Sequence, residues 1–148
     1  MKSIIKISLL FVFALATFSA VSAKTLPEGK WEMVSYNFKQ KIAYPLDDAT
    51  VTLNISADGK IGGSSGCNTY GGSYAFEKGK LKISDIFSTM MACDEMTMSF
   101  ERTFHDTLMA AGEYKLEAGL LTITDAKTKS FIRFMRVKAM DEIPPHKC

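Results

Sequence analysis

Nucleophilic hydrolysis needs a nucleophile, a base to take its proton and a group to orient that base, and this sequence is poor in bases. Its two histidines are His105 and His146. His105 falls on the polar side of a helix-like segment, one turn after Glu101, and reads as a solvated histidine beside a carboxylate. His146 lies in a terminal stretch, Asp141-Glu142-Ile143-Pro144-Pro145-His146-Lys147, with little to pack. No catalytic residue is assigned, and the chain is expected not to be an enzyme. A soft-metal set is the next possibility: Met90, Met91, Met96 and Met98 surround Cys93 in sequence, and sulfur ligands suit Cu(I). Methionine is also the adaptable filler of irregular cores. Packing is the favoured reading, so no residue is committed to a metal and no cofactor is expected. The run Gly62-Gly63-Ser64-Ser65-Gly66 has the glycines of a phosphate cradle but neither the lysine nor the helix start such a cradle needs. It reads instead as a bulge or barrel corner, with Asn68 bonding to its own backbone there. Asn54-Ile55-Ser56 is a glycosylation sequon, and strand alternation points Asn54 outward.

Three cysteines, Cys67, Cys93 and Cys148, allow one bridge and a leftover thiol. Cys67 with Cys93 is favoured because both lie within structured sequence, whereas Cys148 ends the tail. Two buried reduced thiols packed as small apolar groups are the alternative. Oxidation is expected because the N-terminus has the three parts of a secretory signal: Lys2 and Lys6, an apolar run from Ile7 to Phe18, and the small-residue stretch Ser19 to Ala23. Cleavage is expected after Ala23. The next residue is Lys24 and not the cysteine of a bacterial lipid anchor, so a soluble secreted or periplasmic product is expected. The apolar run is shorter than the ~20 residues that span a bilayer, and no stable membrane span is expected. Of the 18 basic residues, Lys2 and Lys6 leave with the signal, so 16 face 16 acidic ones and the mature chain is formally neutral. Nucleic acid is excluded as a partner, because phosphate contacts need a basic surplus. Arg133, Arg136 and Lys138 read as solvated charges on an edge strand.

The elements that must position these residues follow from periodicity. Alternation marks strands over Lys30–Asn37, Thr50–Ser56, Lys60–Gly66, Gly72–Glu77 and Lys80–Ser84, with turns at Asp58-Gly59 and Lys78-Gly79. Phe100, Phe104, Leu108 and Ala111 then fall four, four and three apart on one helical face, with Glu101, Arg102, His105 and Asp106 opposite and Gly112 as a C-cap. Three more strands are expected over Glu113–Glu117, Leu120–Thr124 and Ser130–Val137, the last with an ambiguous inward face. The fold class is therefore mainly β: a small antiparallel β-barrel-like domain of about eight strands, with one amphipathic α-helix between the fifth and sixth. The expected organisation is a signal peptide over 1–23, one domain over 24–140 and a C-terminal tail over 141–148.

The segment Gly66-Cys67-Asn68-Thr69-Tyr70-Gly71-Gly72-Ser73-Tyr74, followed by Leu81-Lys82-Ile83 and by Ser88-Thr89-Met90-Met91-Ala92-Cys93, resembles the signature of the META domain (HslJ-like) family. Trp31, Glu101, Phe104, Leu108, Leu121 and Phe134 extend the resemblance over nearly the whole mature chain. It implies a β-barrel-like fold with one helix, and a motif carried by Gly66, Cys67, Asn68, Gly72, Tyr74, Thr89, Met91, Ala92, Cys93 and Glu101. Family members commonly have Arg at Met90 and Pro at Asp94, so this chain departs there. The family is linked with envelope stress and drug tolerance in bacteria and with virulence in a parasite. The expected function is a non-enzymatic binding or stress-protective module, whose partner is a protein or a small apolar ligand held in the barrel. Alternatives are a protease inhibitor acting through the Cys67 loop, and a lipid- or Cu(I)-binding protein.

Overall fold

The computed structural model describes residues 24–39, 41–43 and 50–138. The expected signal peptide, and the tail with His146 and Cys148, lie outside the described residues. In chain order the elements are β1 (Gly29–Phe38), β2 (Lys41–Ala43), β3 (Thr52–Ile55), β4 (Lys60–Ser64), β5 (Thr69–Glu77), β6 (Lys80–Ser88), α1 (Glu95–Met109), β7 (Ala111–Glu117), β8 (Leu120–Asp125) and β9 (Phe131–Arg136). Eight strands pair in the order β6-β5-β4-β3-β1-β9-β8-β7, and the short β2 adds to β1 off that path. Every pairing is antiparallel. The terminal strands β6 and β7 lie side by side without hydrogen-bonding, so the sheet is a nearly closed barrel, as the periodicity predicts.

Alternation explains which residues face inward. Leu53 and Ile55 from β3, Leu81 and Ile83 from β6, and Leu121 and Ile123 from β8 are all buried, as the period of two requires. In β9 the ambiguity resolves to Ile132 and Phe134, both wholly buried, with Met135 turned out. At Lys78-Gly79 and Ala118-Gly119 both residues have positive φ, the type I′ geometry that suits strand twist. Phe104 and Leu108 carry the helix into the interior. Phe100 packs on Tyr36 and Phe38, and Phe104 on Tyr70, so α1 seats on the rim that those rings form. Trp31, Phe104, Phe134 and their aliphatic neighbours fill the interior. Among the described residues, two grooves of about 600 and 900 Å³ open, one beside Phe76, Leu81 and Tyr114 and the other beside Gly29, Leu120 and Met135.

Several boundaries differ from expectation for identifiable reasons. The β5–β6 hairpin begins at Thr69 and runs on to Ser88, beyond the expected Gly72 and Ser84. A register shift between Gly71 and Ser73, with Asp85 at φ 56°, breaks the alternation while pairing continues. Gly112 is not the helix C-cap. The helix ends at Met109 with Ala110 as its cap, and Ala111, expected on the helix face, opens β7. A Cβ on Gly112 would come within 2.5 Å of the Ala126 methyl, so glycine there serves close packing. Arg133 and Arg136 do not lie on an edge strand, because β9 is paired on both sides. They stack over the rings of Phe131 and Trp31, 5.0 and 5.7 Å from the centroids. The Gly62-Gly63 run is a close approach of strands: a Cβ on Gly63 would collide with the Thr52 carbonyl oxygen.

Candidate functional site

The best-organised polar cluster is built around Glu101, in the second turn of α1. The helix begins there because Asp94 caps it: Oδ1 accepts from the Thr97 N–H at 2.9 Å and Oδ2 from the Thr97 hydroxyl at 2.6 Å. These bonds hold the Asp94 carboxyl below its ordinary value. Two turns of helix then aim Glu101 at the loop between β4 and β5. Expected on the solvated side of the helix, Glu101 is instead buried, at 6 % exposure. Its Oε1 accepts from the Ser65 hydroxyl at 2.7 Å and from the successive backbone N–H groups of Cys67 and Asn68 at 3.1 and 2.6 Å. Its Oε2 accepts from Asn68 Nδ2 at 2.7 Å. The ion pairs among the described residues, Lys82–Glu77 and Lys115–Glu117, lie elsewhere, so dipoles alone hold this charge. Burial raises the Glu101 pKa, but the bonds from Asn68, Ser65 and Cys67 outweigh it and hold the carboxyl below its usual range. Consecutive N–H groups converging on one oxygen form an anion-holding concavity.

Asn68 carries the connection outward. Contrary to expectation, its side chain does not serve its own backbone. While Nδ2 bonds Glu101, Oδ1 accepts from the Thr89 hydroxyl and from the Met91 N–H, each at 2.8 Å. Nδ2 also reaches the Met91 carbonyl at 3.4 Å. The Thr89 and Thr69 backbones pair at 2.9 Å, and the Thr69 N–H donates to the Thr89 hydroxyl at 3.1 Å. The Cys67–Cys93 disulfide, with Cα atoms 6.4 Å apart, closes the arrangement. One buried acid thus orients one amide, which in turn holds both flanks of Met90.

What this clamp holds is apolar and exposed. Met90 is 97 % exposed, Phe87 70 %, Met96 69 % and Met91 55 %, and Met98 is also exposed. The expectation that these methionines fill a core is therefore overturned: β6 already covers the interior with Leu81 and Ile83, and the chain beyond Ser88 runs outside it. Cys93 is committed to the disulfide and offers no thiolate to a soft metal.

The structure brings Gly66, Cys67, Asn68, Thr89, Met91, Cys93 and Glu101 together around this clamp. Ala92 is exposed on its loop, and Asn54 is exposed on β3. Gly72 and Tyr74 stand apart on β5: a Cβ on Gly72 would press on Ile86 and the Ser84 carbonyl, and Tyr74 is part of the core. His105, expected to be solvated, is half-buried, 5.4 and 5.7 Å from the ring centroids of Tyr70 and Phe104. Among the described residues its buried Nε2 has no hydrogen-bond partner, and burial lowers its pKa against the opposing pull of Glu101 and Asp106. Ser65, the fourth donor to Glu101, was not singled out from sequence. Its signal is that it sits where β4 ends before the Gly66 turn, a place where a small hydroxyl residue can turn inward.

The family model described as META domain matches residues 24–138. Among solved structures, the chain is similar to a protein from Burkholderia xenovorans determined by NMR, with a TM-score of 0.63 and 26 % identity over 77 % of this chain and 85 % of that one. It is also similar to a DUF4847 family protein from Bacteroides vulgatus, with a TM-score of 0.52 and 17 % identity over 76 % and 94 % of the two chains. The second likeness bears on the fold alone. No curated protein matches the chain.

Proposed function

The chain belongs to the META domain family, and from that premise we propose that it is a non-catalytic, secreted or periplasmic binding module. Its contact surface is the apolar ridge of Phe87, Met90, Met91, Met96 and Met98. The observation that carries this reading is the pairing of a buried carboxylate that accepts four hydrogen bonds with the exposed Met90 and Met91 on the loop it steadies. Large apolar side chains left exposed together on neighbouring elements are a common mark of a contact site, and methionine adapts to varied partner shapes. The non-catalytic reading is supported by the state of Glu101. Four donors and a lowered pKa make it a poor proton acceptor, and His105 beside it is wedged between two rings. No helix among the described residues is long and apolar enough to cross a membrane. The filled interior favours an outside surface over an internal ligand. The segment of chain preceding Lys24 supports export, and the disulfide accords with an oxidising compartment.

The test is capture of partners by a photo-crosslinking residue placed at Ala92, in extracts of the source cells. Met90→Asp with Met91→Asp is the comparison, since both positions are exposed and the variant is expected to unfold at the same temperature as the parent. Loss of the crosslinked species in the variant supports the ridge, and an unchanged set of species overturns it. The intact mass of exported protein should begin at Lys24.

A further inference from the structure

We propose that the ridge receives a protease, and that Thr89-Met90-Met91 is offered to a serine protease with a roomy apolar specificity pocket in the manner of a substrate, with the Met90 side chain entering that pocket. This rests on the binding-module reading and names the partner class.

A protease reads its substrate as an extended segment: it bonds the main chain on either side of one side chain and takes that side chain into a pocket. A segment that inhibits must present the same features without yielding them, so it must already be rigid in the bound form. Met90 is open to both contacts. Its side chain stands free, and among the described residues neither its N–H nor its carbonyl has a hydrogen-bond partner. Its neighbours meet the demand for rigidity, because Thr89 and Met91 are both bonded to the single oxygen Asn68 Oδ1, at 2.8 Å each. Asn68 is itself buried and fixed from behind by Glu101. An ordinary surface loop has no reason to hold the residues flanking its most exposed side chain to one buried amide. The Cys67 loop, expected from sequence to be the inhibitory segment, is the anvil, and Thr89–Cys93 is the part displayed.

The same geometry accounts for resistance to turnover. The serine oxygen adds to the Met90 carbonyl carbon. Its proton passes through the protease histidine to the Met91 nitrogen as the Met90–Met91 C–N bond breaks. That nitrogen remains held by Asn68 Oδ1, and the cut lies between Cys67 and Cys93, so the disulfide keeps the two halves joined. The amine re-attacks the ester, returns the proton to the serine through the histidine, and the peptide bond re-forms with every atom restored.

The experiment measures inhibition of chymotrypsin, subtilisin and trypsin by the purified protein and by Met90→Lys. The exposed position makes this substitution neutral for folding, which a matched thermal melt checks. Inhibition of chymotrypsin and subtilisin by the parent is expected. Met90→Lys should weaken chymotrypsin inhibition about 100-fold and create trypsin inhibition, because one side chain in a specificity pocket commonly carries that much discrimination. Prolonged incubation should yield, before reduction, a mixture of intact chain and chain that has gained one water, cut between Met90 and Met91. Absence of inhibition at micromolar concentration by both forms, or rapid cutting at other bonds, would overturn the proposal. If that happens while the Asp substitutions still abolish the Ala92 crosslink, the ridge stands and only the protease assignment falls. If the crosslink is also unchanged, both fall.

Discussion

Glu101→Gln isolates what the buried charge contributes, because it keeps the side-chain shape and removes only the ionisation. In the parent, three donors meet Oε1 and one meets Oε2. The glutamine oxygen can serve the three, but its NH₂ then faces Asn68 Nδ2, donor against donor. Stranding that pair costs about 1–3 kcal/mol, and each of the three remaining bonds loses about 1 kcal/mol when its acceptor is no longer charged. Relief from desolvating a carboxylate offsets part of this, leaving a net loss of about 3 kcal/mol. For a domain of this size that lowers Tm by about 12 °C. The assay is urea unfolding of both proteins, disulfide intact, from pH 7 to pH 3. Because the folded Glu101 pKa is lowered, its stabilisation is complete above the unfolded carboxyl value of about 4.3 and is lost as pH falls through the folded value. Glutamine does not titrate, so the gap between the proteins should be widest at pH 7 and close in acid. A variant within about 0.5 kcal/mol of the parent at pH 7, below the ordinary worth of one hydrogen bond, or a gap that stays constant down to pH 3, would refute the hub role.

Three further outcomes follow from the same structure. Gly63→Ala should destabilise by about 3 kcal/mol or more, since the new methyl meets the Thr52 carbonyl of the paired strand; a melt within a few degrees of the parent would show that β3 and β4 can part freely. Reducing the Cys67–Cys93 bridge, which spans a sequence separation of 26, should lower stability by about 3 kcal/mol on chain-entropy grounds, read as the shift in urea midpoint with and without reductant. His105 has a folded pKa lowered by burial, so its contribution is complete above about pH 6.5 and declines as pH falls towards the folded value. His105→Leu should flatten the slope in unfolding midpoint between pH 6.5 and the carboxyl range, where Glu101 and the other lowered carboxyls take over, and an unchanged slope in that window would assign it to other groups.

Much of the strand map is legible in the chain because Val51, Leu53 and Ile55, or Leu121 and Ile123, alternate with polar neighbours, and such alternation has one physical use. Legibility fails where a bulge intervenes. Asp85 shifts the phase of β6, so Phe87 looks like the next core residue yet is exposed. It fails again at Ala111, which continues the helical spacing from Leu108 but starts a strand, because tertiary pairing with Asp125 outweighs a one-residue extension of the helix. The methionines mislead for a related reason: apolarity predicts burial only where the chain passes the interior, and the segment from Thr89 to Asp94 runs outside it, leaving that space to Phe104, Leu108 and the strands that follow.

The mainly β class and the pairing favoured for two cysteines can be read from the linear chain, and the family resemblance draws attention to Gly66, Cys67, Asn68, Thr89, Cys93 and Glu101. Which role each plays cannot. Glu101 looks like any charge on a polar helix face, and Asn68 like any loop amide, until the fold sets residues about 33 apart within hydrogen-bonding distance. Sequence encodes local preference and periodicity, which act over a few residues. Whether a carboxylate is desolvated, and which donors then compensate it, depends on the packing of distant segments, and that is decided only when the barrel closes around the helix.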